Sequence, residues 1–245
     1  MPAMNVLTWN LFHGRAQPPA GRDLQLEFAA ALAGWDWDVA LLQEVPPWWG
    51  PALARACDAE ARTALTSRNA LLPLRRAIAR RAPDLIKSNG GGANVILVRS
   101  ARITEHRSVL LRRWPERRVC HAVAIDGGPW CANLHAQVHS PERAGADIAC
   151  AAAATLAWAG AGPALLGGDF NVRGPAAAGL QSLGGHGVDH VLGHGLRAVG
   201  APVLPDRGGL SDHAPIIVNV VPGPAYHGPT SLACTPELQE NPCPD

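Results

Sequence analysis

Eight short runs of β-branched and leucine-rich residues constrain this chain most: residues 5–9, 39–43, 94–98, 119–125, 130–134, 164–167, 188–192 and 216–221. Each has the length of one strand and stops at Gly, Pro or a polar turn residue. Helical patterns lie between some of them. Residues 24–34 follow a cap at Asp23, residues 141–159 open behind Ser140 with proline at the first turn, and residues 71–81 end before Pro83. Strands outnumber helices, and many neighbours are too close in sequence for a helical crossover. The expected fold is α/β of the α+β type, a four-layer α-β-β-α sandwich: two mixed, mostly antiparallel sheets face to face, helices outside.

Hydrophobic residues make up 47% of the 245 and charged residues 17%, enough apolar material for a sizeable core. One domain is expected over residues 1–221. Residues 222–245 form a proline-rich tail without periodicity, expected to be poorly ordered. The net charge of +1 neither favours nor excludes a nucleic-acid partner, but Lys87 is the only lysine. Arginine therefore carries nearly all positive charge, which suits bidentate phosphate contacts and also follows from a high-GC coding bias. No basic, apolar leader opens the sequence and no apolar run is long enough to cross a bilayer, so a cytoplasmic monomer without stable membrane insertion is expected. Cysteines at 57, 120, 131, 150, 234 and 243 make no CxxC pair. Reduced thiols are expected rather than a zinc site, with Cys234 and Cys243 able to bridge.

Polar residues recur at the ends of the apolar runs. Asn10 follows Val6-Leu7-Thr8-Trp9, Glu44 follows Ala40-Leu41-Leu42-Gln43, and Asn133 and His135 close the run at Leu134. Asp169 and Asn171 follow Leu165-Leu166-Gly167-Gly168, Asp189 and His190 sit beside Val188, and Asp212 and His213 precede Ala214-Pro215-Ile216. Ionisable groups at core strand ends are costly unless they converge where a metal or substrate charge offsets their desolvation. Taken singly, Asn10 and Asn133 read as strand terminators and His135 equally as a core histidine. The set is harder to explain that way.

The strings Thr8-Trp9-Asn10, Leu42-Gln43-Glu44, Gly92-Ala93-Asn94, Asn133-Leu134-His135, Gly168-Asp169-Phe170-Asn171, Val188-Asp189-His190 and Ser211-Asp212-His213 stand in this order over residues 4–221. Together they resemble the endonuclease/exonuclease/phosphatase superfamily. The resemblance implies a divalent-metal-dependent phosphodiesterase, using Mg²⁺ or Mn²⁺ and acting on nucleic acid. A phosphomonoesterase or lipid phosphodiesterase is the alternative, and a non-catalytic phosphate-binding module a third option. It implies metal ligation by Glu44, Asn10 and Asp212. It also implies catalytic roles for Asp169 and Asn171 at the attacking water, for His213 beside the scissile phosphate and oriented by Asp189, and for His135 as the family's second histidine. Asn94 falls where the metal-side loop is supported or phosphate is touched, and Asn133 where substrate is touched.

Arg15, just after the first strand, is the best single candidate for a phosphate contact. Arg76 and Arg80, and the arginines flanking Trp114-Pro115, are candidate groove residues. Trp48 and Trp49 can stack on a base, supply an exposed apolar loop to a lipid surface, or pack in the core. The only tyrosine is Tyr226, in the tail, so the active-site tyrosine of abasic-site endonucleases is missing. His186, His190 and His194 have helical metal-site spacing, but the surrounding glycines argue against a helix. Gly90-Gly91-Gly92 lacks a following Lys-Ser or Lys-Thr and reads as a tight turn into the strand at Asn94.

Overall fold

A computed structural model describes residues 2–66, 69–82, 84, 92–99 and 101–224. Its first sheet has the order β11-β12-β1-β2-β4-β3: Leu196–Ala198, Ile216–Pro222, Met4–Asn10, Val39–Val45, Gly92–Val98 and Glu60–Thr66. The second has the order β5-β6-β7-β8-β10-β9: Ile103–Arg112, Arg118–Ile125, Trp130–His135, Ala164–Asp169, Asp189–His194 and Gln181–His186. Each sheet contains one parallel pair, β1/β2 and β7/β8, and every other pairing is antiparallel. A helix crosses over between the strands of each parallel pair: α1 (Gln25–Gly34) and α4 (Pro141–Ala159). A parallel pair needs such a crossover to bring the chain back to the same end of the sheet, whereas an antiparallel pair does not.

Alternation along the central strands builds three apolar layers. Met4 and Val6 of β1 and Val39 and Leu41 of β2 meet Val123, Cys131, Leu165 and Val191 between the sheets. The opposite faces, with Leu7, Trp9 and Leu42, pack against α1 and α2 (Gly50–Cys57) through Phe28, Leu32 and Leu53. Ala132, Leu134 and Leu166 of the second sheet take α4 through Ile148 and Ala151. The expected sandwich is therefore the observed one. α3 (Leu72–Arg81) has no buried residue, consistent with its four arginines.

Four strands and one helix had no legible signal. β5 is mostly exposed, with only Ile103 and Val109 buried, and β9 buries only Leu183 among its glycines and polar residues. β3 is polar and alanine-rich, β11 has three residues, and α2 has eight. Hydrophobic periodicity needs longer or more apolar segments to register. Cys57, Cys120 and Cys131 are free and buried, but Cys150 is disulfide-bonded, which corrects the expectation of reduced thiols there. Residues 225–245, with most of the tail, Cys234 and Cys243, lie outside the described residues, as do Gly90 and Gly91. Among the described residues no helix is long and apolar enough to cross a membrane.

Candidate active site

Asn10 ends β1, Glu44 stands next to last in β2, His135 ends β7 and Asp169 ends β8. These are the four strands of the two parallel pairs, so within each sheet the two side chains emerge at the same carboxyl end. Packing the sheets face to face then joins them across the interface. Asn10 Nδ2 donates to Asp169 Oδ2 at 3.0 Å, and His135 Nε2 lies 3.9 Å from Glu44 Oε1 and 3.5 Å from Asp169 Oδ2. β10 starts at Asp189 directly opposite Asp169. The chain before β12 delivers Asp212 and His213, because β12 runs antiparallel to β1 and Ile216 pairs with Thr8 near the end of β1. Trp9 Nε1 holds His213 O at 3.0 Å. Ser211 Oγ donates to Asn10 O at 2.7 Å and accepts from His213 N at 3.0 Å, stapling the segment down.

The backbone around this point is under strain. Phe12, His13, Glu44, Asn171 and Ser211 have φ between 49° and 61°, in the left-handed region that non-glycine residues avoid. Such conformations cost about 1–3 kcal/mol each and persist where the surroundings enforce them. At Glu44 the cause is a bulge: the β2/β4 register slips between Leu42 and Val45, which turns the carboxylate off the strand. Gly168 solves a different problem. At φ +145° a Cβ would sit 1.9 Å from Leu134 O, so only glycine lets β8 approach β7 closely enough to set His135 opposite Asp169.

Asp169 is the hub. Its Oδ2 takes the Asn10 amide and its Oδ1 the Asn171 backbone N–H at 2.9 Å, while His213 Nε2 stands 3.8 Å from Oδ2. Burial and the charge of Asp189 raise its carboxyl to about 6, against the opposing pull of His213 and the two hydrogen bonds. His213 behaves oppositely. Burial would lower it, but the 2.8 Å hydrogen bond from Nδ1 to Asp189 Oδ2 and the charges of Asp189, Asp169 and Asp212 bring it up to about 9. Burial would also raise Glu44, yet the His13 hydrogen bond (Nε2 to Oε2, 3.0 Å) and the neighbouring histidines hold it at about 2. Burial and the Arg118 charge keep His135 well below its ordinary value, hence neutral.

Asn10, Arg15, Glu44, His135, Asp169, Asn171, Asp212 and His213 all line one cleft of about 530 Å³, with Asp189 behind His213. Two expected substrate contacts do not reach it. Asn133 is fully buried and bridges the sheets, donating to Leu42 O and Val95 O and accepting from Gln43 Nε2. Asn94 is likewise buried, its Nδ2 reaching Val119 O at 3.3 Å. Both are buried between the sheets, where the Asn133 amide and the Asn94 Nδ2 donor serve sheet packing. Trp49 packs on Phe28 at 3% exposure, which removes the exposed Trp48-Trp49 loop needed at a lipid surface. Trp48 lines a separate groove with Arg76 and Arg80. His13 was missed in the sequence because a lone histidine past a strand end carries no pattern.

Whether these residues suit a divalent ion can be tested on the donor set. Glu44, Asp169 and Asp212 bring carboxylate oxygens to the cleft, and Asp189 Oδ1 is buried without a hydrogen-bond partner. Ligand atoms of Asp169, Asp189 and His213 also lie within 4.8 Å of one another. An oxygen-rich set with an unsatisfied buried carboxylate oxygen fits a hard cation. Asn10 Oδ1 already accepts from Phe12 N at 2.9 Å, leaving only its second lone pair for an ion.

A family profile described as the Endonuclease/Exonuclease/phosphatase family matches residues 7–213. No curated protein matches the chain. Among solved structures, an endonuclease/exonuclease/phosphatase from Beutenbergia cavernae is 18% identical, with 92% of this chain and 73% of that one covered at a TM-score of 0.68. A mannosyl-6-phosphatase from Bacteroides thetaiotaomicron is 16% identical, covering 89% and 99%, at 0.63. TDP2 from Caenorhabditis elegans is 16% identical, covering 89% and 74%, at 0.60. With the profile spanning most of the sequence and the fold shared, the chain belongs to the endonuclease/exonuclease/phosphatase family of phosphoester hydrolases, a divalent-metal-dependent family.

Proposed function

We propose that the chain is a phosphodiesterase acting on nucleic acid with Mg²⁺ or Mn²⁺ held by Glu44 and Asp212, assisted by Asn10. The carrying observation is that one oxygen, Asp169 Oδ2, is fixed by Asn10 while facing both His135 and His213. At neutral pH Asp169, at about 6, is an anion and His213, at about 9, a cation. Asp169 orients and deprotonates the attacking water. The His213 Nε2–H donates to a phosphate oxygen as negative charge develops, with Asp189 fixing the ring through Nδ1. Asn171 donates through Nδ2 to Ala136 O, which leaves its Oδ1 to hold the water. A bound divalent ion supplies Lewis-acid polarisation of the phosphoryl group and stabilises the leaving oxygen.

Nucleic acid is favoured by Arg15, Arg117 and Arg118 in the cleft and by the Trp48–Arg76–Arg80 groove, an aromatic face beside cations that suits a base and its phosphates. Plasmid and single-stranded DNA incubated with the protein and Mg²⁺ should be cut. Asp169→Asn should lower kcat by roughly 10²–10⁴-fold with little change in melting temperature. DNA left intact while a small phosphomonoester is turned over would transfer the reading to a phosphomonoesterase.

A further inference from the structure

Arg118, at the start of β6, is 5% exposed yet lines the cleft. One arm of its guanidinium, Nη2, donates to Glu116 Oε2 at 2.6 Å. Its Nε is buried and has no hydrogen-bond partner. A guanidinium stays charged at any accessible pH, and a buried N–H without an acceptor is costly, so this donor is expected to serve something that enters from outside. The other cleft arginines are differently employed: Arg117 donates to Leu65 O, and Arg15 packs over the Phe12 ring with Nε on Phe12 O. His135 lines the same cleft as Arg118. Glu116 lines the same cleft, so a carboxylate stands where an external oxyanion would bind.

We infer that Arg118 anchors an oxyanion of phosphate at the His135 wall of the cleft, and that Glu116 occupies one arm of the guanidinium until that anion displaces it. The Nε edge of a guanidinium presents two parallel N–H groups that match two oxygens of one phosphate, and Glu116 engages only one of them. This rests on the phosphoester reading of the cleft. Were Arg118 merely a pin for the β5–β6 turn, it would act through Glu116, and losing either partner would have the same effect.

The two cases separate in a titration of the full chain with inorganic phosphate in EDTA, read by calorimetry, alongside KM and kcat on a phosphodiester with Mg²⁺. Arg118→Met should weaken phosphate binding at least about tenfold and raise KM more than it lowers kcat. Glu116→Gln should bind phosphate as tightly as the parent or several-fold tighter, because a competing anion is gone. Arg118→Lys, which keeps the charge with a single point donor, should fold normally and show an intermediate loss. Unchanged phosphate affinity in Arg118→Lys and Arg118→Met, or equal loss in Glu116→Gln and Arg118→Met, would overturn the anchor. Arg118-dependent phosphate binding without hydrolysis of any phosphoester would uphold the anchor and remove the proposed reaction instead.

Discussion

Asn133 and His121 face each other across β6 and β7, and each shows what a buried polar side chain does once its surroundings are known. Asn133 closes three hydrogen bonds between the sheets, so Asn133→Ala should take a donor from Leu42 O and Val95 O, while Gln43 Nε2 keeps Leu41 O and Thr8 Oγ1. A stability loss of roughly 2–4 kcal/mol in urea denaturation, with KM nearly unchanged, is expected. A raised KM at full stability would restore Asn133 to the substrate. His121 is fully buried, with Nδ1 3.2 Å from His106 Nε2 and its own Nε2 unpartnered. Burial, with the charge of His106, pushes His121 well below its ordinary value, so the folded state takes up its proton later than the unfolded one. Its stability contribution is complete above the unfolded value of ~6.5 and fades as pH falls below it, by about 1.4 kcal/mol per pH unit until the folded value is reached. His121→Phe should flatten the decline in melting temperature between about pH 6.5 and pH 5. An unchanged slope would exclude His121 as its source.

At the scale of elements, the strand ends were legible because a charged or amide side chain terminating an apolar run is unusual, and Asn10, Glu44, His135 and Asp169 all carry that mark. How each side chain is aimed was not legible. The bulge that turns Glu44 depends on pairing with β4, and the 3₁₀ turn Phe12–Gly14 that carries His13 depends on contacts made by the folded chain. Gly168 belongs to the same class. Its sequence context reads as an ordinary strand end, but its place against Leu134 O forbids a side chain. Gly168→Ala should cost more than ~3 kcal/mol or prevent folding, because a backbone clash in the β7/β8 pair has no room to relax. Gly174→Ala is the control: φ is +60° there but nothing lies within 4 Å, so about 1 kcal/mol is expected. Equal effects in chemical denaturation would refute the close approach. Ser140 behaved locally, its Oγ accepting from Arg143 N at 3.2 Å as a cap should, and α4 starts at Pro141 as its sequence predicts.

For the whole molecule, the sheets meet through an apolar layer that ends in a pocket of like charge. Glu44, Asp169, Asp189 and Asp212 crowd it, and the His213 cation offsets them only in part. A cation binding only the folded state should therefore stabilise it. Saturating Mg²⁺ or Mn²⁺ is expected to raise the melting temperature, by RT ln(1 + [L]/Kd), roughly 2.7 kcal/mol at a hundredfold excess over Kd. EDTA should reverse the gain and Glu44→Gln should abolish it; a Glu44→Gln protein stabilised as much as the parent would place the ion elsewhere. By itself the sequence determined the layers and the family, because apolar alternation, helix caps and the order of strand-end polar residues are local properties of the chain. Only the tertiary structure decided which polar residues face the cleft and which bridge the sheets. That choice is made where two sheets meet, by register and packing between residues such as Gln43 and Asn133 that lie 90 positions apart.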